Sequence, residues 1–245
     1  MPEGMTDIHI HILPGVDDGS QDMEDSLLMA SLALEGGVDT IIATPHGNMS
    51  EGAYLKEEEQ EHTSMIREVF EEFRQEIDKR NLPLKVHLGM EIFSTPGAAA
   101  MLQQGILLPM NDRGVCMIEF GFEDSALICR RRIEEMLDIG MSPIIAHPER
   151  YTCVQRDVRT AEEWVYMGCR LQANRGSILG RFGRKPNRAV WEMLNRGMIT
   201  FIGSDAHSPY SRTPYMKDVY EIISEEFSPK TAARLLGDNA REYLL

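Results

Sequence analysis

Asp7-Ile8-His9-Ile10-His11, close to the amino terminus, has the pattern of a β-strand, because apolar Ile8 and Ile10 alternate with polar residues. Side chains two positions apart on a strand point to one face, so His9 and His11 project together, and Asp7 projects with them. Neutral imidazole nitrogens are the commonest metal ligands in proteins. The stretch therefore indicates one part of a metal site, although a strand with a solvated polar face would have the same pattern.

The composition is that of a globular protein without a surface for nucleic acid. The chain has 245 residues, of which 42% are hydrophobic and 26% charged. This length suits one large α/β domain or two small ones; because no Pro/Ser-rich linker divides the sequence, we expect residues 1–245 to form a single domain. The formal net charge of −14, from 39 acidic and 25 basic residues, argues against a nucleic-acid partner.

The cysteines and the amino terminus predict a cytoplasmic protein. None of the four cysteines lies in a C-x-x-C pair, and a chain of this length does not need disulfides for its stability. The first residues show no basic region followed by an apolar run, and no apolar stretch approaches the roughly 20 residues of a membrane-spanning helix. We therefore expect reduced thiols and no insertion into a membrane.

Strand and helix patterns alternate along the whole sequence. After the first strand, six further segments have strand character, at residues 38–44, 84–88, 115–120, 142–146, 169–174 and 198–202. Helical patterns lie at residues 22–36, 53–80, 96–104, 126–139, 157–167, 187–196, 216–227 and 229–236. This alternation predicts an α/β fold with parallel strands and helices outside. A closed seven-stranded (β/α) TIM-like barrel fits better than an open doubly wound sheet, because polar residues occur at the ends of all the predicted strands.

Each predicted strand ends in, or is followed by, a polar side chain, and most of these can bind a metal. In strand order they are His9 and His11, His46, Glu91, Glu119, His147, Asn174, and Asp205 with His207. In a barrel of parallel strands, functional side chains lie on one rim, at the carboxyl-terminal ends of the strands. His46 alone could be a turn residue, and Glu119 alone an exposed acid, but the set together predicts two or three closely spaced divalent cations.

Two arginines are placed where they could bind a phosphate beside such metals. Arg150 is three residues after His147, and Arg212 is five residues after His207. A guanidinium fork matches the oxygens of a phosphate, although each arginine could instead form a surface ion pair. Arg175 is a weaker third candidate.

A cysteine-dependent phosphatase is disfavoured. Cys153 and Arg159 have the C-x5-R spacing of such enzymes, but their phosphate-binding loops use glycine to turn and backbone N–H groups to bind. The segment here contains no glycine, and Asp157 would place a negative charge inside the cradle.

The residues and motifs together resemble the polymerase-and-histidinol-phosphatase (PHP) superfamily, and most closely its branch of bacterial tyrosine-protein phosphatases from capsule and exopolysaccharide synthesis operons. The segments that carry the resemblance are DIHIHILPGVDDGS, ATPHGN, LGMEI, MIEF, AHPERY, LQANRGSILG and SDAHS, spread over residues 7–207. One departure is Gly47-Asn48-Met49, where many relatives have further His or Arg residues.

The resemblance implies a distorted seven-stranded barrel with three metals, whose identity is manganese, iron, zinc or magnesium. Its ligand sets are His9, His11, Glu91 and Asp205 for one metal; Glu91, Glu119 and His147 for a second; and Asp18, His46 and His207 for the third. Arg150 and Arg212 bind phosphate by the same resemblance, and Asp7 orients a ligand instead of binding a metal. The implied substrate is phosphotyrosine on the tail of a tyrosine autokinase.

The sequence therefore predicts a metal-dependent phosphatase acting on phosphotyrosine protein. The nearest alternative is a small-molecule phosphomonoesterase of the same superfamily, such as histidinol phosphatase. A phosphodiesterase or exonuclease is disfavoured by the net charge of −14. A catalytically silent module that binds a kinase tail would have no need of the full ligand set. The oligomeric state stays open.

Overall fold

The computed structural model describes residues 4–48 and 56–245. The described strands are β1 (Met5–Ile10), β2 (Val38–Ala43), β3 (His46–Gly47), β4 (Lys85–Leu88), β5 (Glu91–Phe93), β6 (Val115–Glu119), β7 (Ser142–Ala146), β8 (Arg170–Asn174) and β9 (Ile199–Gly203). They form a three-stranded sheet in the order β1-β2-β4 and a six-stranded sheet in the order β3-β5-β6-β7-β8-β9. Every strand pair is parallel, which confirms the predicted α/β class.

The second and third predicted strands, at residues 38–44 and 84–88, correspond to β2 and β4. Each is followed, after an interruption, by a short further segment, β3 or β5, so seven predicted strands appear as nine segments. The first interruption, between β2 and β3, contains Pro45, which has no N–H to donate. The second, between β4 and β5, contains Gly89. Hydrogen bonds cross both gaps: Gly89 N donates to Ala43 O at 2.8 Å, and Glu91 N donates to Pro45 O at 3.0 Å. The two interruptions therefore divide the strands into two sheets, but neighbouring segments of the backbone stay hydrogen-bonded across them.

The first and last strands also meet. Asp205 N donates to His9 O at 2.8 Å, and His11 N donates to Ala206 O at 2.9 Å. A parallel bridge joins Ile10 to Ala206. The segment that follows β9 therefore lies directly beside the end of β1.

The helices follow the strands, as predicted. They are α1 (Met23–Glu35), α2 (Lys56–Lys79), α3 (Ala98–Gln103), α4 (Ala126–Asp138), α5 (Thr152–Arg156), α6 (Arg159–Tyr166), α7 (Arg175–Ile178), α8 (Arg184–Asn195), α9 (Lys217–Glu226), α10 (Pro229–Ala233) and α11 (Asn239–Tyr243). A 3-10 turn spans Pro148–Arg150, and a π-helical turn spans Arg234–Asp238. The predicted first residues of α2, 53–55, lie outside the described residues. No helix in the described ranges has the length and apolarity that a membrane crossing requires.

Local sequence explains several helix starts. Asp22 caps α1 by accepting a hydrogen bond from Asp25 N, and Ser125 caps α4 by accepting one from Ile128 N. Helix α8 begins at Arg184, three residues before the predicted start, because Pro186 is tolerated in the first turn of a helix.

An aromatic cluster behind β6 and β7 supports the 3-10 turn that carries Arg150. The buried Tyr151 ring lies 5.3 Å from the ring of Phe120 and 6.3 Å from that of Trp164. Its hydroxyl donates to Ala146 O at 2.8 Å and accepts from Phe120 N at 3.2 Å. Because both bonds are buried, the turn is held firmly at the ends of β6 and β7.

Candidate metal centre

Four buried side chains converge at the junction of β1, β5 and the segment after β9. The Nε2 atoms of His9 and His11 are 3.3 Å apart. Glu91 Oε2 lies 3.0 Å from the first and 3.2 Å from the second, and Asp205 Oδ1 lies 3.5 Å from both. Two imidazole nitrogens and two carboxylates that face one point form a typical ligand set for a divalent cation.

Two further side chains fix the orientation of these imidazoles. His9 Nδ1 lies 2.8 Å from Gln172 Oε1, and His11 Nδ1 lies 2.8 Å from Asp17 Oδ2. A ring that donates through Nδ1 presents Nε2 as a free lone pair, so both rings are prepared to bind a metal. The sequence interpretation did not include Gln172 or Asp17. Gln172 alternates with Asn174 on β8, which is a signal of the same kind as the DIHIH pattern.

Glu91 also takes part in a second group. Its Oε1 lies 2.9 Å from His147 Nε2, and its Oε2 lies 3.3 Å from His46 Nδ1. Glu119 Oε1 is 3.3 Å from His46 Nδ1, and Glu119 Oε2 is 3.7 Å from His147 Nε2. His46 and Glu91 are adjacent in the pairing of β3 with β5, which brings the two side chains together.

The third group lies nearest to solvent. Asp18 Oδ1 is 3.4 Å from the Nε2 atoms of both His46 and His207. The rings of His46 and His207 both pack against His11, at centroid distances of 4.4 and 3.9 Å, and lie 6.1 Å from each other. The Asp18 side chain is 67% exposed, in contrast to the buried carboxylates of the other groups.

All nine predicted ligands therefore meet in one cluster. Ligand atoms lie within 4.8 Å of one another in three overlapping groups: His9, His11, Glu91 and Asp205; His46, Glu91 and Glu119; and His11, Asp18, His46 and His207. These differ from the sets that the resemblance implies in three ways. His11 joins the outer group, and His46 joins Glu91 with Glu119. His147 is in none of the three groups, although its Nε2 lies 2.9 Å from Glu91 Oε1. Nitrogen and carboxylate ligands without cysteine fit manganese, iron, zinc or magnesium.

The electrostatics of the cluster are those of a site built for positive charge. Burial opposes ionisation of Glu91, but His9 and hydrogen bonds from His11 and His147 hold the pKa of its carboxyl well below the usual range. Burial likewise opposes the charge on His46, but hydrogen bonds to Asp18 and Glu119 raise its pKa to about 10. In the absence of a cation, the carboxylates therefore stay ionised and a protonated histidine such as His46 balances part of their charge.

Two of the candidate ligands have strained backbones. His147 has φ 32° and Asp205 has φ 50°, in the left-handed region that non-glycine residues rarely adopt. Such conformations cost about 1–3 kcal/mol each and persist where the surroundings impose them, often at functional sites.

Both predicted arginines lie against this cluster. Arg150 Nη1 is 3.3 Å from Asp205 Oδ2, and Arg212 Nη2 is 2.5 Å from the same oxygen. The Arg150 guanidinium lies between two aromatic rings, 4.5 Å from the centroid of Phe122 and 4.8 Å from that of Phe182. Both arginines thus point into the mouth of the site.

The weaker candidate, Arg175, is used elsewhere. It is buried and pairs with Asp218, with a closest distance of 2.5 Å. Its Nη1 also donates to Thr213 O at 3.1 Å, which holds the loop that carries Arg212. Arg175 therefore supports the loop that carries Arg212 and does not line the cavity at the cluster.

The C-x5-R segment does not form a phosphate cradle. Residues 152–156 form helix α5, so its backbone N–H groups are partly used within the helix. Arg159 Nη2 pairs with Asp157 Oδ2 at 2.6 Å, on the surface.

A cavity of about 430 Å³ opens above the metal-ligand cluster. The residues that line it are Asp18, His46, Glu91, Phe93, Glu119, Phe120, Gly121, Phe122, His147, Arg150, Asp205, His207 and Arg212. One cavity thus combines candidate metal ligands, two arginines and three phenylalanines.

The fold and the site together define an α/β protein of parallel strands with a cluster of candidate metal ligands at the strand ends. Residues 5–245 match the family model of capsular polysaccharide synthesis proteins, CpsB/CapC. The chain belongs to this CpsB/CapC family, which confirms the resemblance to the capsule branch predicted from the motifs.

Characterised relatives span the whole chain. It is 32% identical over 236 residues to the tyrosine-protein phosphatase YwqE of Bacillus subtilis, covering 96% of this chain and 90% of the relative. It is 29% identical over 246 residues to the tyrosine-protein phosphatase CpsB of Streptococcus pneumoniae, covering 98% of each. A crystal structure from work on these two, described as unique metal-dependent tyrosine phosphatases, superposes with a TM-score of 0.87 at 30% identity, covering 98% of this chain and 94% of the other.

Proposed function

We propose that this protein is a metal-dependent phosphomonoester hydrolase that removes phosphate from phosphotyrosine in a protein involved in capsule or exopolysaccharide synthesis. The observation that carries the proposal is the shared cavity, in which the ligand cluster and two arginines face one space. The names of the relatives support the choice of phosphotyrosine.

The proposed cofactors are two or three divalent cations, which are manganese, iron, zinc or magnesium. His9, His11, Glu91 and Asp205 would hold one; Glu91, Glu119 and His147, with His46, a second; and Asp18, His46 and His207, with His11, a third. Divalent cations that lie about 3.5–4 Å apart would activate a water and bind phosphate oxygens during in-line displacement.

The arginines provide the protein's own contacts to phosphate. In the structure their guanidinium groups both face one oxygen of Asp205, so two positive charges already meet at the edge of the cluster. A phosphate can accept two parallel hydrogen bonds from a guanidinium, and such bonds strengthen as charge moves to the equatorial oxygens. Arg150 and Arg212 therefore bind and orient the phosphoryl group.

The cavity also suits an aromatic leaving group. Phe93, Phe120 and Phe122 line the same space as the arginines, and 44% of Phe122 is exposed. A tyrosine ring can pack against such walls while its phosphate reaches the metals. This favours phosphotyrosine over the small-molecule alternative, because histidinol phosphate carries its phosphate on an aliphatic carbon and its ring is a polar imidazole.

We also propose how the chain folds as a whole, which segment of the substrate it acts on, and where in the cell it acts. The β1–β9 junction and the hydrogen bonds across the two strand breaks support a closed, distorted seven-stranded barrel over a single domain, residues 1–245. The proposed substrate segment is the tail of a tyrosine autokinase, and the proposed location is the cytoplasm, where the four free thiols would stay reduced.

Metal analysis combined with substrate comparison tests the proposal. The metal-loaded protein should hold more than one cation per chain and hydrolyse a phosphotyrosine peptide faster than histidinol phosphate or a phosphodiester. A chelator should abolish the activity, whereas Cys153→Ser should leave it unchanged. Less than one metal per chain and no hydrolysis of any of these substrates would refute the proposal.

Arginine variants test the roles assigned to Arg150 and Arg212. Arg150→Ala and Arg212→Ala should each lower kcat/KM for the peptide by about 10²–10³, the loss typical when one preorganised donor to the developing charge is removed. The metal content of both variants should stay at the wild-type value. An arginine variant with wild-type kcat/KM would contradict its role.

A further inference from the structure

A second, basic cavity lies beside the metal centre and plays no part in the reaction proposed above. It has a volume of about 580 Å³ between helices α5 and α8. Its lining residues are Thr152, Gln155, Arg156, Arg184, Lys185 and Arg188. Four of these six residues are cations and none is an anion, in a chain whose net charge is −14. This cavity is therefore a local region of positive charge on a protein whose net charge is negative.

The protein does not neutralise these four cations itself. Within residues 4–48 and 56–245, no carboxylate oxygen lies within the 4.0 Å of an ion pair from any of them. Neighbouring arginines behave differently, since Arg159 pairs with Asp157 and Arg196 pairs with Glu192. All four side chains are exposed. Their charged groups are thus available to an anion from outside.

The basic cavity is joined to the arginines of the metal centre through both of its walls. Gln155 Nε2 donates to the backbone oxygens of Glu149 at 3.0 Å and Arg150 at 3.1 Å. Phe182, two residues before Arg184, lies 4.8 Å from the guanidinium carbon of Arg150. A peptide whose phosphotyrosine contacts Arg150 would therefore place its flanking residues beside the basic cavity.

We propose that the basic cavity binds an anionic segment of the substrate protein, next to the phosphotyrosine that is hydrolysed. This inference rests on the phosphatase function proposed above. The anion is a carboxylate or a second phosphoryl group, both of which arginine binds through charge-assisted hydrogen bonds. The net charge of −14 repels a nucleic acid at long range, whereas a short peptide meets mainly the local positive charge.

Peptide kinetics test the proposal on the metal-loaded protein. Three phosphotyrosine peptides of equal length carry glutamine, glutamate or a second phosphotyrosine beside the reacting one, and p-nitrophenyl phosphate reports on the metal centre alone. The KM of an anionic peptide should be about tenfold below that of the neutral one at low salt, with similar kcat, and 0.5 M NaCl should shrink the difference. The peptide with the lower KM identifies the source of the anion.

A matched pair of variants assigns the effect to the basic cavity. Arg184→Gln/Lys185→Gln/Arg188→Gln should abolish the preference and leave hydrolysis of p-nitrophenyl phosphate and of the neutral peptide within about twofold. Lys79→Gln/Arg80→Gln/Lys85→Gln removes the same charge from another surface and should keep the preference.

Three outcomes would overturn the inference: equal KM values for all peptides, equal loss of the preference in both variants, or stronger competition by a single-stranded oligonucleotide than by an acidic peptide. If even p-nitrophenyl phosphate is not hydrolysed by the wild-type protein, the phosphatase function itself fails. The two failures are therefore distinguishable.

Discussion

Glu91 is the residue on which the candidate metal centre depends most. It belongs to two of the three ligand groups, and its two oxygens face four different histidines. Asp18 lies at the other extreme, because it belongs to one group and its side chain is largely exposed. The loss of each carboxylate should therefore have a different effect on metal content.

Glu91→Gln should lower the bound metal by more than one equivalent per chain, whereas Asp18→Asn should lower it by about one. Both substitutions keep the size of the side chain and remove its charge, so each acts as the control of the other. Elemental analysis of the purified variants gives the ratio of metal to protein. Equal losses would show that the cluster fills as a single unit.

Asp7 has a different role, because it accepts hydrogen bonds from the backbone beside the candidate metal ligands. Its buried Oδ1 accepts hydrogen bonds from Ser204 N at 3.0 Å and His9 N at 3.3 Å. Burial raises the pKa of Asp7, so the charge itself is disfavoured and the acceptor oxygen matters more.

Asp7→Ala should destabilise the protein by about 2–4 kcal/mol, since it leaves two buried N–H groups without partners. Asp7→Asn keeps an acceptor oxygen in the same place and should cost much less. Urea unfolding of both variants measures the difference. If Asp7→Asn were as unstable as Asp7→Ala, the negative charge would be the important property.

Among the strands and helices, the polar residues at strand ends were predictable from the sequence, whereas the side-chain contacts between different elements were not. The periodicity of two in DIHIH and the polar residues after each apolar segment were enough to bring eight candidate ligands to one edge. The ninth, Asp18, lies in the loop after the first strand and was expected only from the family resemblance. Gln172, which orients His9, was missed because 163 residues separate the partners. Asp17, which orients His11, was missed because it lies in an irregular loop, where no periodicity indicates the direction of a side chain. Arg175 was misplaced for a similar reason, because its partner Asp218 is 43 residues away.

The junction of β1, β8 and β9 leaves no space for a side chain at Gly203. A Cβ atom there would lie 2.8 Å from His9 Cβ and 2.9 Å from Gln172 Nε2, closer than such atoms normally approach. The small residue therefore sets the distance between β9 and the candidate ligand His9 on β1.

Gly203→Ala should destabilise the protein by about 1–3 kcal/mol, the usual cost of overpacking, and should reduce metal content by displacing His9. Thr200→Val, on the same strand but only partly buried, is the matched control and should change neither property strongly. Thermal unfolding with and without added manganese tests both effects. A Gly203→Ala protein with normal metal content would show that the junction can adjust.

For the whole molecule, the cluster couples stability to pH in two opposite ways. In the metal-free protein, hydrogen bonds raise the pKa of His46 to about 10, so this contribution to stability is complete below the unfolded value of 6.5 and is lost as the pH rises toward 10. A cation needs the same nitrogens unprotonated, so binding releases protons and becomes tighter as the pH rises.

The stabilisation by metal should therefore increase with pH between about 6 and 8. A cation at 100 times its dissociation constant adds about 2.7 kcal/mol per site, which corresponds to roughly 5–10 °C in the melting temperature of a chain of this size. The difference in melting temperature between manganese and EDTA should be small at pH 6 and largest at pH 8, and should be reduced in Asp18→Asn. A difference that stayed constant or fell with pH would mean that protons and cations do not compete for these nitrogens, which would contradict the assignment of His46 as a ligand.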